Sequence, residues 1–164
     1  MEYLKINSLW KREGWYFEDR KKHDPAYQSG RQSFIIGDYA EPAFGNIKRW
    51  LVDEKIDGTN VRIIWQRPFI GGAHTLTFGG RTDNAQMPSP LFQSLLETFN
   101  EELFIQLFPN ADTVILFGEG YGPKIQAAGG NYRTTPGFLL FDIFIDGWWL
   151  ERSAVRDIAQ KMAL

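Results

Sequence analysis

The residues best suited to chemistry form the block Glu54-Lys55-Ile56-Asp57-Gly58-Thr59-Asn60-Val61-Arg62. A strand is predicted over residues 50–54, which would place Lys55 in apolar surroundings, directly before an Asp-Gly turn. Burying a lysine cation is costly, and desolvation or nearby positive charge frees its lone pair for attack on an electrophile. An ion pair with a neighbouring carboxylate explains such a lysine equally well, the candidates being Asp53, Glu54 and Asp57.

Two further blocks place one charged side chain among glycines. In residues 118–126, Gly-Glu-Gly-Tyr-Gly-Pro-Lys-Ile-Gln, Glu119 is expected just past a buried strand. Glycines around a single charge favour close approach of the backbone to a ligand, although a turn with a solvated glutamate has the same pattern. Arg81 follows Gly79-Gly80 at a predicted strand end, where it suits either a phosphate or a surface ion pair.

Composition bounds the class of protein. The 164 residues include no cysteine, which excludes disulfides and thiolate metal sites, and the net charge of -2 neither favours nor excludes a nucleic-acid partner. The start of the chain lacks the apolar core of a signal peptide, and no apolar run approaches membrane-spanning length. We therefore expect a cytoplasmic protein without a membrane partner. His23 and His74 have no partners in the pattern, so structural histidines and no metal site are predicted.

Periodicity predicts an α+β fold with mainly antiparallel sheet, because strands follow strands without regular helical crossovers. A helix over residues 91–107 is expected to begin at Ser89 as N-cap, and a second covers residues 153–164. An Asp146-Gly147 hairpin turn leads into Trp148. The predicted strands cover residues 33–36, 50–54, 60–66, 74–78, 113–117 and 138–145.

The order of these blocks resembles the covalent nucleotidyltransferase superfamily of nucleic-acid ligases and capping enzymes. The sequence runs from Lys55-Ile56-Asp57-Gly58 through Gly80-Arg81 and Gly118-Glu119 to Phe141-Asp142. The block at residues 54–62 looks most like the RNA ligases close to the phage RNA-repair enzymes, and residues 118–126 match that family's next block. Residues 5–12 also resemble the leader of some members. Asn60 stands five residues after the lysine, where DNA ligases usually have arginine.

The resemblance implies a role for each candidate. Lys55 would be the catalytic nucleophile that forms a lysyl–AMP adduct from ATP. Glu119 would contact a ribose hydroxyl or a metal-bound water, and Phe141 would stack on adenine. The other implied nucleotide contacts are Glu54 at the base edge, Ile56, Asp57 and Gly58 at the turn, Asn60 near the ribose or phosphate, Arg81 at a phosphate, and Arg62. For Arg62, pairing with an aspartate or glutamate is the alternative.

The resemblance also implies an ATP-dependent RNA ligase that needs Mg²⁺ and seals 5′-phosphate to 3′-hydroxyl ends of RNA or of a nicked duplex. It assigns residues 1–48 to an N-terminal leader segment of the nucleotidyltransferase domain and 49–164 to the N-terminal part of that domain. A further metal-binding carboxylate and a lysine pair are expected beyond this stretch, so little self-labelling is expected from these residues alone. The alternatives are an inactive nucleotide- or RNA-end-binding module, a DNA ligase or a capping enzyme, and a second polypeptide that completes the domain.

Overall fold

The computed structural model describes residues 1–3, 8–12, 34–67 and 72–164. The chain divides into two compact units, one formed by Met1–Tyr3 with Glu54–Leu164 and the other by Leu4–Asp53. In the described ranges, no helix has the length and apolar character needed to cross a membrane.

The smaller unit contains a two-stranded antiparallel sheet of β1 (Trp10–Arg12) and β2 (Phe34–Tyr39). Trp10 stacks on Tyr39 with ring centroids 4.7 Å apart, and a 3-10 helix follows at Pro42–Asn46. The strand predicted at residues 33–36 is confirmed from Phe34 onward. The strand predicted at residues 50–54 is wrong: the segment belongs to no strand, and Val52 is 88% exposed. Among the described residues, no strand pairs with this segment. Its apolar side chains therefore stay exposed, and the segment does not form a strand.

The larger unit is built on a five-stranded antiparallel sheet in the order β4-β3-β5-β6-β7. Its strands are β3 (Thr59–Gln66), β4 (Thr75–Gly79), β5 (Thr113–Tyr121), β6 (Gly137–Ile145) and β7 (Trp148–Trp149). The hairpin between β6 and β7 turns at Asp146 and Gly147, whose φ angles of 45° and 97° suit the predicted tight turn. The pattern of Pro68 and Gly71-Gly72 between β3 and β4 indicates a loop, most of which lies outside the described residues.

Three α-helices pack on one face of this sheet: α1 (Ser89–Thr98), α2 (Glu101–Leu107) and α3 (Arg152–Lys161). Alternation along β3 turns Val61, Ile63 and Trp65 toward them, and all three are buried in the shared core. The α+β architecture predicted from the sequence is therefore confirmed.

The helix predicted over residues 91–107 is instead two helices. Phe99 is extended, with φ −115° and ψ 124°, and the Asn100 side chain accepts a hydrogen bond from the Leu103 amide at 2.9 Å. Asparagine competes well for backbone donors at a helix start, which explains the break. Ser89 is the first helical residue rather than the cap, since Pro88 occupies the cap position without a side-chain hydrogen bond.

Candidate active site

The candidate site lies on the sheet face that points away from the helices, called here the site face. Cross-strand pairing places side chains of β3, β5 and β6 on it in two neighbouring rows. The first row is Asn60, Glu119 and Leu139. The second row is Arg62, Phe117 and Asp142.

Lys55 lies four residues before β3 and is exposed rather than buried, which corrects the expected environment. Within the described ranges it belongs to none of the ion pairs, so the alternative of an ion pair with Asp53, Glu54 or Asp57 is not observed either. The positive charge of Lys55 nevertheless favours the ionised form of the Glu119 carboxyl and so acts to lower the pKa of that group. Lys55 therefore influences the ionisation of Glu119 from an exposed position.

Glu119 lies inside β5 and not just past its end, because the strand continues through the glycines to Tyr121. The backbone of Gly58 lies against the Glu119 side chain and favours the ionised form of the carboxyl group. Partial burial raises the pKa of Glu119 above its ordinary value, and the charge of Asp57 raises it further, against the opposing effects of Lys55 and the Gly58 backbone. The block at residues 54–62 and the block at residues 118–126 thus meet at the carboxyl group of Glu119.

Gly58 can lie directly against Glu119 and Gly120 because it has no side chain. A Cβ atom there would lie 2.4 Å from the Gly120 carbonyl oxygen and 2.8 Å from Glu119 Cγ. No side chain fits at those distances, so the Asp-Gly turn rests directly on β5. Asp57 fixes the turn from the other side, since its Oδ2 atom accepts a hydrogen bond from the Ala128 amide at 2.9 Å.

Asn60 pairs with Glu119 across β3 and β5. Its Oδ1 atom is buried and has no hydrogen-bond partner among the described residues. An unpaired buried acceptor is costly, which favours a role in accepting a hydrogen bond from, or coordinating, something that enters the site.

Arg62 is 1% exposed, and protein groups already engage its guanidinium. Nε donates to the Gly80 carbonyl at 2.6 Å, Nη1 to the Met1 carbonyl at 2.6 Å, and Nη2 to Asp83 at 2.8 Å. Its hydrogen bond and charge lower the pKa of Asp83. The pairing alternative weighed for Arg62 is therefore observed, and its side chain braces the loop that carries Arg81.

The structure brings together only some of the predicted residues. The side chains of Arg81 and Glu54 are exposed, and among the described residues no polar contact links either of them to Glu119. Ile56 is partly buried. His74 is structural as predicted: it stacks on Trp65 with ring centroids 4.7 Å apart, and its Nε2 lies 3.0 Å from the Ala111 carbonyl oxygen. His23 lies outside the described residues. The described ranges contain no cluster of metal-ligating side chains.

Phe141 occupies a bulge in β6. Phe117 pairs with Asp142 and the next residue, Gly118, pairs with Leu140, so Phe141 is the extra residue without a partner on β5. A bulge of this kind redirects one side chain out of the regular alternation. Tyr3 contacts Phe141 edge to face, with ring centroids 5.2 Å apart.

Sequence reasoning missed Tyr3. Its hydroxyl donates a hydrogen bond to Asp142, and its ring lies 5.0 Å from that of Phe117. Burial raises the pKa of the Tyr3 phenol, and the hydrogen bond to Asp142 reinforces the shift. A single aromatic residue near the start of a chain carries no periodic signal, so only the tertiary structure shows that it covers part of the site face.

Comparison with known proteins identifies the family of this chain. No curated protein matches the chain significantly. The model of the RNA ligase family matches residues 48–164, which is more than half of the chain and includes Lys55, Glu119 and Phe141. The chain belongs to the RNA ligase family.

Proposed function

We propose that this chain carries the adenylation site of an ATP-dependent RNA ligase, with Lys55 as the nucleophile. The supporting observation is that residues 54–62 meet residues 118–126 at Glu119. Gly58 lies so close that a Cβ atom on it would be 2.8 Å from Glu119 Cγ, and the charge of Lys55 favours the ionised form of that carboxyl. The unpaired Oδ1 atom of Asn60, opposite Glu119, supplies a polar acceptor for an incoming nucleotide.

In the proposed first step, the lone pair of Lys55 Nζ attacks the α-phosphorus of ATP. A phosphorus–nitrogen bond forms, the bond to the bridging oxygen breaks, pyrophosphate leaves, and Nζ releases its proton to solvent. An exposed lysine reaches solvent and substrate without rearrangement of the core. The 5′-phosphate of an RNA end then displaces the lysine and takes the AMP. A 3′-hydroxyl finally attacks the activated phosphate, so a phosphodiester forms and AMP leaves.

The residues of the site fit Mg²⁺ brought in with the triphosphate. Mg²⁺ takes oxygen ligands and is commonly held by one or two carboxylates together with substrate phosphates. Glu119 and the Oδ1 atom of Asn60 are oxygen donors on adjacent strands. A bound Mg²⁺ would offset phosphate charge. Glu119 would orient the nucleotide, and Asp57 would keep the turn in place through the Ala128 amide.

Binding of ATP and modification of Lys55 test this proposal. Titration calorimetry with Mg²⁺ and ATP should show binding that Glu119→Ala weakens by about tenfold, the size expected for loss of one hydrogen bond to a charged group. Glu97→Ala, at an exposed position on α1, is the matched control and should bind as the wild type does. Periodate-oxidised ATP, whose dialdehyde reacts with nearby lysines, should modify Lys55, and excess ATP should protect it.

Little self-labelling by α-labelled ATP is expected from these residues alone. The phosphoramidate label that does form should be alkali-stable and acid-labile, map to Lys55, be lost in Lys55→Ala and persist in Lys48→Ala, a change at another exposed lysine. A protein that binds no ATP, or whose protected lysine lies elsewhere, would contradict the proposal. Preference for GTP would indicate capping chemistry instead, and adenylylation of DNA ends in preference to RNA ends would indicate a DNA ligase.

A further inference from the structure

The N-terminal tripeptide is tied to the site face at two points. The Met1 carbonyl accepts from Arg62 Nη1 at 2.6 Å, and the Tyr3 hydroxyl donates to Asp142. The ring of Tyr3 also contacts Phe117 at 5.0 Å and Trp149 at 6.0 Å. Tyr3 is therefore held in a defined position over the second row of the site face, next to the row of Asn60 and Glu119.

Phe141 depends on this neighbour for its orientation. As the extra residue of the β6 bulge, it lacks the cross-strand partner that would fix its direction. Tyr3 is its aromatic partner in the described part of the chain, at 5.2 Å and 63° between ring planes. The next residue, Asp142, holds the Tyr3 hydroxyl, so both residues of the bulge contact the same tyrosine.

We propose that Tyr3 is a positioning residue for nucleobase binding, which it supports by holding Phe141 in a fixed orientation. The inference rests on the proposed function, in which Phe141 stacks on the adenine of ATP. An aromatic ring that is already oriented loses less conformational entropy when a base stacks on it. Tyr3 then contributes to affinity through Phe141 rather than through its own contact with the phosphates.

A double-mutant cycle on ATP affinity tests the proposal with the full chain. Tyr3→Ala and Phe141→Ala should each weaken ATP binding by about tenfold, the scale of one aromatic contact. The double variant should be no weaker than Phe141→Ala by more than about twofold, because Tyr3 acts through the ring that is already missing. Tyr3→Phe, which keeps the ring contacts, should remain within about threefold of the wild type.

Two further variants separate positioning from general stability. Phe92→Ala removes another edge-to-face aromatic pair, with Phe78 at 5.8 Å on the helix side of the sheet, and should lower the melting temperature without changing ATP affinity. If Tyr3→Ala does not fold, Tyr3→Leu takes its place, because leucine keeps an apolar side chain over Phe117. Tyr3→Leu should weaken ATP binding as Tyr3→Ala would.

Additive losses in the double variant, or wild-type affinity in Tyr3→Leu, would overturn the role of Tyr3 and leave the proposed function intact. A wild-type protein that binds no ATP would instead refute the proposed function and this inference together.

Discussion

Gly58 is a residue at which a single added methyl group should disturb the site directly. In Gly58→Ala the new Cβ atom would press on the Gly120 carbonyl and on Glu119 Cγ. We expect the turn to move away from β5 and lose its close contact with Glu119, with a destabilisation of about 1–3 kcal/mol in urea unfolding and weaker ATP binding.

Gly130→Ala is the control for that substitution, because a Cβ atom there meets only Pro123 Cα, at 3.9 Å. It should leave both the unfolding free energy and ATP affinity close to those of the wild type. Equal effects of the two substitutions would show that the contact between Gly58 and β5 is not special.

Glu119 should make stability depend on pH. Its pKa is higher in the fold than the ordinary 4.5, so its contribution to stability is complete below that value and is lost as the pH rises through the folded pKa. Glu119→Gln cannot ionise and still offers an oxygen to the Gly58 backbone. We expect its melting temperature to exceed that of the wild type near neutral pH, and the difference to shrink below 4.5. Glu97→Gln, at an exposed carboxylate, is the control; a difference that grows as the pH falls would refute the assignment.

Residue types and spacing predicted which side chains to consider, but not the environment of each. The order of Lys55, Glu119 and Phe141 carried the family assignment, whereas burial of Lys55 was inferred from an apolar run that the structure leaves exposed. An apolar run indicates burial only when another element covers it. Arg62 shows the reverse: nothing in its local sequence indicates that Gly80, Met1 and Asp83 converge on its guanidinium.

Among the secondary-structure elements, the junction between α1 and α2 depends on one side chain. Asn100→Ala removes the acceptor that holds the Leu103 amide at 2.9 Å. We expect a loss of about 1 kcal/mol in urea unfolding, the usual cost of an N-cap. Gln106→Ala, at an exposed position on α2, should cost little. If Asn100→Ala leaves the free energy of unfolding unchanged, packing of Phe99 and Phe104, rather than the cap, determines the break between the two helices.

Strand β5 shows how far periodicity predicts an element. The apolar run of residues 113–117 was recognised, yet the strand continues through Gly118, Glu119 and Gly120. Glycines usually weaken a strand, but here a Cβ atom at Gly118 would lie 2.2 Å from the Phe138 ring and one at Gly120 would lie 2.4 Å from Leu91. These packing partners are distant in sequence, so the strand end is visible only in three dimensions.

At the scale of the whole molecule, the sheet separates the packed core from the candidate site. One face packs against the helices, and the other carries Asn60 and Glu119. The antiparallel strand succession predicted this sheet, because alternation and the Asp146-Gly147 turn are local signals. The resemblance places a boundary after residue 48, whereas the two compact units divide between Asp53 and Glu54, a position that depends on contacts and not on composition.

That division leads to an expectation for hydrogen exchange. Residues 51–56, which contain Lys55, lie at the division and belong to no helix or strand, whereas β5 is bonded on both sides and buried from Val114 to Gly118. Local opening costs least where backbone groups are solvated and few apolar contacts form. We expect amides of residues 51–56 to exchange much faster than those of β5, and Mg²⁺ with ATP to slow them as the nucleotide orders Lys55. The exposed hairpin turn at Asp146 and Gly147 is the internal control and should be unaffected. Protection of residues 51–56 without ATP, or equal slowing at the hairpin, would show that this segment does not receive the nucleotide.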